Sequence, residues 1–141
     1  MLIAIPKETA YGEKRAALIP ASVKKLVQIG AQVSVESGLG AAAGFCDKEY
    51  QAAGASLVDD RSALLASAQM VLRVRKPELA DIELLQPGCI HVSFLDPFNE
   101  TAIIDAMRER NISAISMEMI PRSTHTQKMD ALSSQANLAG Y

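Results

Sequence analysis

LIAIPKETAYGEKRAALIPASVKKLVQIGAQVSV, residues 2–35, contains a strand, a loop, a helix and a second strand in that order. Leu2 to Ile5 is a short apolar run closed by Pro6, which has no N–H to continue a ladder. Pro20 stands where a helix favours proline, in the first turn. Val23, Leu26 and Val27 then fall on one face, and Gly30 is the stop signal. Gln32 to Val35 is the second strand. Strands separated by a helix need a crossover connection, so this opening unit predicts parallel pairing.

The alternation continues down the chain. Asp47 is expected to cap a short helix ending at Gly54, Ser56 to Val58 to form a brief strand, and Asp60 to cap a further helix. Met70 to Val74, Ile90 to Phe94 and Ile112 to Met117 complete the strands, and Thr101 to Arg110 carries Ile103, Ile104 and Met107 at helical spacing. The expected fold is α/β and flavodoxin-like, a mainly parallel sheet with helices on both faces. No repeat, low-complexity tract or linker interrupts residues 1–120.

With 141 residues, 49% hydrophobic and 21% charged, the chain can bury an ordinary core as one domain. A net charge of -2 offers no basic field for nucleic acid and no polybasic membrane patch. The apolar runs fall short of a bilayer span, and MLIAIPKE has no basic segment ahead of a long apolar one, so no membrane insertion and a cytoplasmic location are expected. Cys46 and Cys89 lack metal-ligand or CxxC spacing and are expected to be reduced, buried packing residues.

In such sheets ligands collect beyond the carboxyl ends of the strands. Lys7, Glu8, Lys14 and Arg15 follow the first strand, Arg75 and Lys76 the fourth, Asp96 the fifth, and Pro121 and Arg122 the sixth. If the first and fourth strands are neighbours, Arg15 and Arg75 converge. They then either hold a carboxylate or phosphate, or pair as loop charges with Glu13, Glu8 or Glu78. Gly38-Leu39-Gly40-Ala41-Ala42-Ala43 fits a GxGxxA pattern with Asp59 downstream, but the plausible helix cap comes only at Asp47, so the glycines are expected to form a loop rather than a dinucleotide site. His91, within a strand, is expected to be packed. His125 lies in a loop with no Cys or His at ligand spacing, and no metal site is expected.

PRSTHTQKMDALSSQANLAGY, residues 121–141, reads as a loop feeding a helix whose polar face is almost uncharged. On the helical period Asp130, Ser133, Ser134, Asn137 and Tyr141 form one stripe, with Gln127 at its edge. Amides and hydroxyls around one carboxylate suit a surface that hydrogen-bonds a ligand, another subunit or a second domain. Ala131, Ala136, Ala139 and Gly140 equally suit close packing on a partner helix. Gly140 is the only stop signal before the chain ends, so the helix is expected to cross a junction.

IPKE, then GEKRAALIPASVKKLVQIGAQVSVESGLG, and the closing PRSTHTQKMDALSSQANLAGY together resemble the N-terminal part of the alanine dehydrogenase and proton-translocating nicotinamide nucleotide transhydrogenase family. The resemblance covers essentially the whole chain, and its closing segment is most similar to the alpha subunit of the transhydrogenase branch. It implies an N-terminal domain at residues 1–126, the start of a linking helix at 127–141, and an NAD-binding Rossmann domain absent from this chain. NAD(H) would lie between the two domains. The resemblance further implies NADP(H)-binding and membrane components as partners, a homodimer of the complete component, and a place at the cytoplasmic side, peripheral to the inner membrane.

Alanine dehydrogenases carry a lysine after the fourth strand and a histidine after the fifth. Aligning VLRVRKP and IHVSFLDP puts these roles on Arg75 and Asp96. Arginine stays protonated and aspartate is a poor proton donor near neutrality, and His91 is five residues out of register, so the transhydrogenase branch is favoured. By resemblance, Arg122, Gln127, Asp130 and Ser133 bind the nicotinamide with its ribose and phosphates, and Gln127 and Asp130 position it for direct hydride transfer. The alternatives are the substrate domain of an alanine-dehydrogenase-like enzyme, or a stand-alone subunit-interaction domain docking through the polar helix.

Overall fold

A computed structural model describes residues 1–140; Tyr141, the last member of the polar stripe, lies outside the described residues. The strands are β1 (Leu2–Ile5), β2 (Gln32–Glu36), β3 (Ser56–Val58), β4 (Met70–Arg75), β5 (Ile90–Phe94) and β6 (Ser113–Ser116). The helices are α1 (Pro20–Gln28), α2 (Asp47–Ala52), α3 (Arg61–Ser67), α4 (Leu79–Leu84), α5 (Thr101–Glu109) and α6 (Ala131–Ala139).

All neighbouring strands are parallel, in the order β3-β2-β1-β4-β5-β6. The α/β class, the parallel sheet and the helices on both faces are as expected from the sequence. The strand order is the other common doubly wound one, not the 2-1-3-4-5 of flavodoxin. The difference arises at α3, which carries the chain from edge strand β3 back past β1, so that Ile3 pairs with Met70 and Ala4 with Val71.

The period of a strand divides the core in two. Ile3, Ile5, Val33 and Val35 face one way and pack with Val23 of α1 and Tyr50 of α2. Ala4 and Val71 face the other way and pack with Leu64 and Leu65 of α3, Ile82 of α4, and Ile103 and Met107 of α5. Tyr50 is fully buried, and its hydroxyl is satisfied by donating to the Leu18 carbonyl at 2.8 Å.

Several local expectations need correction. Asp47 does not cap α2 but is its first residue; its carboxylate accepts the Gly38 N–H at 2.8 Å, while Glu49 accepts the N–H of the true cap residue, Cys46, at 2.7 Å. Cys46 is exposed rather than buried, whereas Cys89 is buried and its thiol is pushed up to about 11 by burial. Helix α4 is an addition to the sequence reading. The linking helix begins at Ala131, and Gln127 stands on a separate 3-10 turn, Gln127–Met129. The glycine run after β2 does form a loop: Ala41–Ala43 make a single 3-10 turn and no α-helix opens within the motif.

Candidate functional site

The strand order reverses direction between the paired strands β1 and β4, so the loops leaving them turn to opposite faces and leave a cleft at their carboxyl ends, where an open sheet offers a ligand site. A cavity of about 620 Å³ lies there. Arg15 comes from the loop after β1, Arg75 and Lys76 from the end of β4 and its loop, Asp96 from the loop after β5, and Ala131, Leu132 and Gln135 of α6 close the remaining side.

Arg15 and Arg75 do converge, and the group between them is Glu13. Arg15 donates through Nε to Glu13 Oε1 and through Nη2 to Oε2, both at 2.7 Å, and Arg75 Nε reaches Oε2 at 3.0 Å. The Glu13 side chain is only 4% exposed, and the Arg15 hydrogen bonds outweigh burial to hold its carboxyl at about 2. Of the two alternatives left open by the sequence, the arginines are paired with Glu13.

Beneath the cleft is a chain of charges that sequence reasoning missed. Arg61 donates to Glu36 at 2.7 Å and to Asp81 through two nitrogens, at 3.2 and 2.7 Å. Asp81 also accepts from Arg73 at 2.8 Å, and Arg73 approaches Glu8 to 3.9 Å. Glu8 in turn accepts the backbone N–H groups of Val74 and Arg75. Burial alone would raise the Asp81 carboxyl, but Arg61 and Arg73 outweigh it and hold it below its ordinary range. The visible clue was Arg73 itself: a charge at an inward position of an apolar strand requires a buried partner.

His91 lies next to this network on β5, 1% exposed, as the packed residue expected. Its Nδ1 faces Ser93 Oγ at 3.5 Å and its Nε2 has no partner. Burial first, and the Arg73 charge second, depress its pKa to about 3.

The residues selected by resemblance form a separate, shallower depression of about 330 Å³, lined by Arg122, Ser123, Thr124, Gln127 and Asp130. Thr126 ties the loop together, its hydroxyl oxygen accepting the Ser123 N–H at 3.0 Å and its proton going to the Pro121 carbonyl. Asp130 caps α6: one oxygen accepts the Ser133 N–H at 3.0 Å and the other the Ser133 hydroxyl at 2.7 Å. Arg122 Nε stands 3.9 Å from the same carboxylate. The Ser133 hydrogen bonds lower the Asp130 pKa. The four residues are thus neighbours, while Arg15, Arg75 and Asp96 belong to the larger cavity. His125 is exposed on the loop, and among the described residues no cluster of His, Cys, Asp or Glu could hold a metal ion. Among them, no helix is long and apolar enough to cross a membrane.

The family model for the alanine dehydrogenase/PNT N-terminal domain matches residues 4–139. Over its whole length the chain is 40% identical to the NAD(P) transhydrogenase subunit alpha of Cereibacter sphaeroides, of which it covers 27%. It superposes on the crystal structure of transhydrogenase from Sinorhizobium meliloti with a TM-score of 0.95 and 38% identity, covering 100% of this chain and 42% of that one. An L-alanine dehydrogenase structure matches with a TM-score of 0.80 and 32% identity, over 84% of this chain and 32% of that one. The chain therefore spans less than half the length of these relatives. On the match of the family model across nearly every residue, the chain belongs to the alanine dehydrogenase/PNT N-terminal domain family.

Proposed function

We propose that this domain is the first part of the NAD(H)-binding component of a proton-translocating NAD(P) transhydrogenase, and that the loop from Arg122 to Ser133 holds the nicotinamide end of NAD(H). The observation that carries this reading is the meeting of Arg122, Gln127 and Asp130 around one depression, with Ser133 bonded to Asp130. The donor set fits the ligand. Arg122 suits a phosphate, and Gln127 offers both a donor and an acceptor to a carboxamide. The carboxylate of Asp130 is already engaged by Ser133 and the helix start, so its part is to hold the loop in shape.

A bound nicotinamide supplies or accepts the hydride itself. The protein need only hold and orient the ring and exclude water, since the reacting carbon needs no acid or base. The depression is open on its outer side, which suits a site completed by a Rossmann domain. The partners on this reading are that domain, NADP(H)-binding and membrane components and a second copy of the complete component, at the cytoplasmic face of the inner membrane. Amino-acid dehydrogenation is disfavoured, because Arg75 is bound to Glu13 and Asp96 stands in place of a histidine.

In the complete enzyme, Gln127→Asn should slow hydride transfer by roughly a hundredfold while the melting temperature holds. A lowered melting temperature with an unchanged rate would refute the role given to this loop. The 141-residue chain alone should bind NADH weakly, and calorimetry giving micromolar or tighter affinity would count against a site shared between domains.

A further inference from the structure

Helix α6 has little to hold it in place. None of its residues is buried, and Leu132 and Leu138, its large apolar side chains, are 53% and 70% exposed. Among the described residues, one hydrogen bond joins it to the body of the sheet: Arg15 Nη1 donates to Gln135 Oε1 at 3.1 Å.

The other end of that bond is firmly anchored. Glu13 grips the Arg15 fork through two oxygens and receives Arg75 as well, and its side chain is almost fully enclosed. A planar guanidinium fixed along one edge presents its remaining N–H groups in a set direction. The loop before α6 moves with the helix, because Asp130 is bonded to Ser133 within its first turn. The seat of α6 therefore decides where Arg122 and Gln127 stand relative to the cleft.

We propose that Gln135 is a positioning residue: through Arg15 and the Glu13 carboxylate it seats α6, and with it the Arg122 to Ser133 loop, over the carboxyl edge of the sheet. This inference rests on the reading of that loop as the nicotinamide site. It gives the Arg15, Arg75 and Glu13 cluster a task, as the anchor of a clasp across the larger cavity.

The clasp can be read as a distance. Cys46 is exposed and Cys89 buried, so spin labels at Cys46 and at Ala139→Cys report α6 against the body of the domain by pulsed electron resonance. The parent should give one narrow distance distribution. Gln135→Ala should broaden it, and Gln135→Glu, which still accepts from Arg15, should restore it. In the complete enzyme, Gln135→Ala should lower kcat about tenfold with KM for NADH nearly unchanged, and Gln135→Glu should recover the rate.

An unchanged distribution in Gln135→Ala overturns the clasp. A broadened distribution with an unchanged kcat overturns its positioning role. The Gln127→Asn rate separates these failures from an error in the loop assignment, because that variant leaves the clasp and its distance signal intact. If Gln127→Asn keeps the full rate, the nicotinamide reading fails, and the clasp loses its catalytic purpose.

Discussion

Acidification from about pH 7.5 to about pH 5 should remove roughly 2 kcal/mol of stability through His91 alone. The histidine is 1% exposed, with Nε2 unpartnered and the Arg73 charge nearby, and its pKa falls from 6.5 to about 3 on folding. Because the folded pKa lies below the unfolded one, the unfolded chain takes up a proton that the fold refuses. The stability is fully present above the unfolded value and is lost as pH falls through 6.5 towards about 3. The loss approaches about 1.4 kcal/mol per pH unit within that window. Glu13 works lower down: its carboxyl moves from 4.5 to about 2, so its contribution is held above 4.5 and surrendered only beneath it. The interval from pH 5 to 7 therefore belongs to His91. Urea unfolding across this range tests the argument, followed by far-ultraviolet circular dichroism because the chain has no tryptophan. His91→Leu substitutes an apolar side chain of similar bulk and removes the unpaired nitrogen, so near pH 7.5 it should lie within about 1 kcal/mol of the parent. Its stability should then lack the parent's slope between pH 6.5 and about pH 5, above the range in which Glu13 contributes. Parallel curves for the two proteins would refute the account of His91 as a buried neutral base.

Gly40→Ala would bring a Cβ to 2.7 Å from Tyr50 and 2.8 Å from Phe45, so it should destabilise the fold by about 1–3 kcal/mol, read as a drop in melting temperature. Asp81→Ala would leave Arg61 and Arg73 without their shared carboxylate, and denaturant unfolding should register a loss of about 3–5 kcal/mol. Asp130→Ala removes the cap of α6 and should speed amide hydrogen exchange in residues 133–139, whereas Asp130→Asn should preserve the parent's protection there.

The strands and most helices were legible because their signals are local. Pro20 and Gly30 bracket α1, Asp60 caps α3 through two backbone N–H groups, and Ile90 to Phe94 forms a strand over the full predicted range. Helix α4 escaped because its six residues carry barely one periodic repeat and its preceding residue, Glu78, makes no side-chain cap. Strand order depends on which side of β1 the chain returns to, and that choice lies in the packing of α3 rather than in any single residue. The site divides in the same way. Arg122, Gln127, Asp130 and Ser133 are close in sequence and could be selected together, although the break between the turn at Gln127 and the helix at Ala131 blurs in a periodic pattern. Glu13 could be named as a possible partner, but its simultaneous grip on Arg15 and Arg75 joins segments 62 residues apart, and Gln135 lies 120 residues from Arg15. Such pairings follow from the sheet order.

β1 precedes every other strand in the sequence, yet it occupies the middle of the sheet. Its partner on one side is β2, but the strand on its other side begins at Met70, and the charges below the cleft await Asp81. A nascent chain stopped before Met70 would carry Ile3 and Ile5 on an edge open to any passing strand. Closure of so distant a pairing is slow, so β1 waits longer for its second partner than β2, β4 or β5 does. Among the four inner strands, the earliest in sequence therefore waits through the most synthesis for its second neighbour.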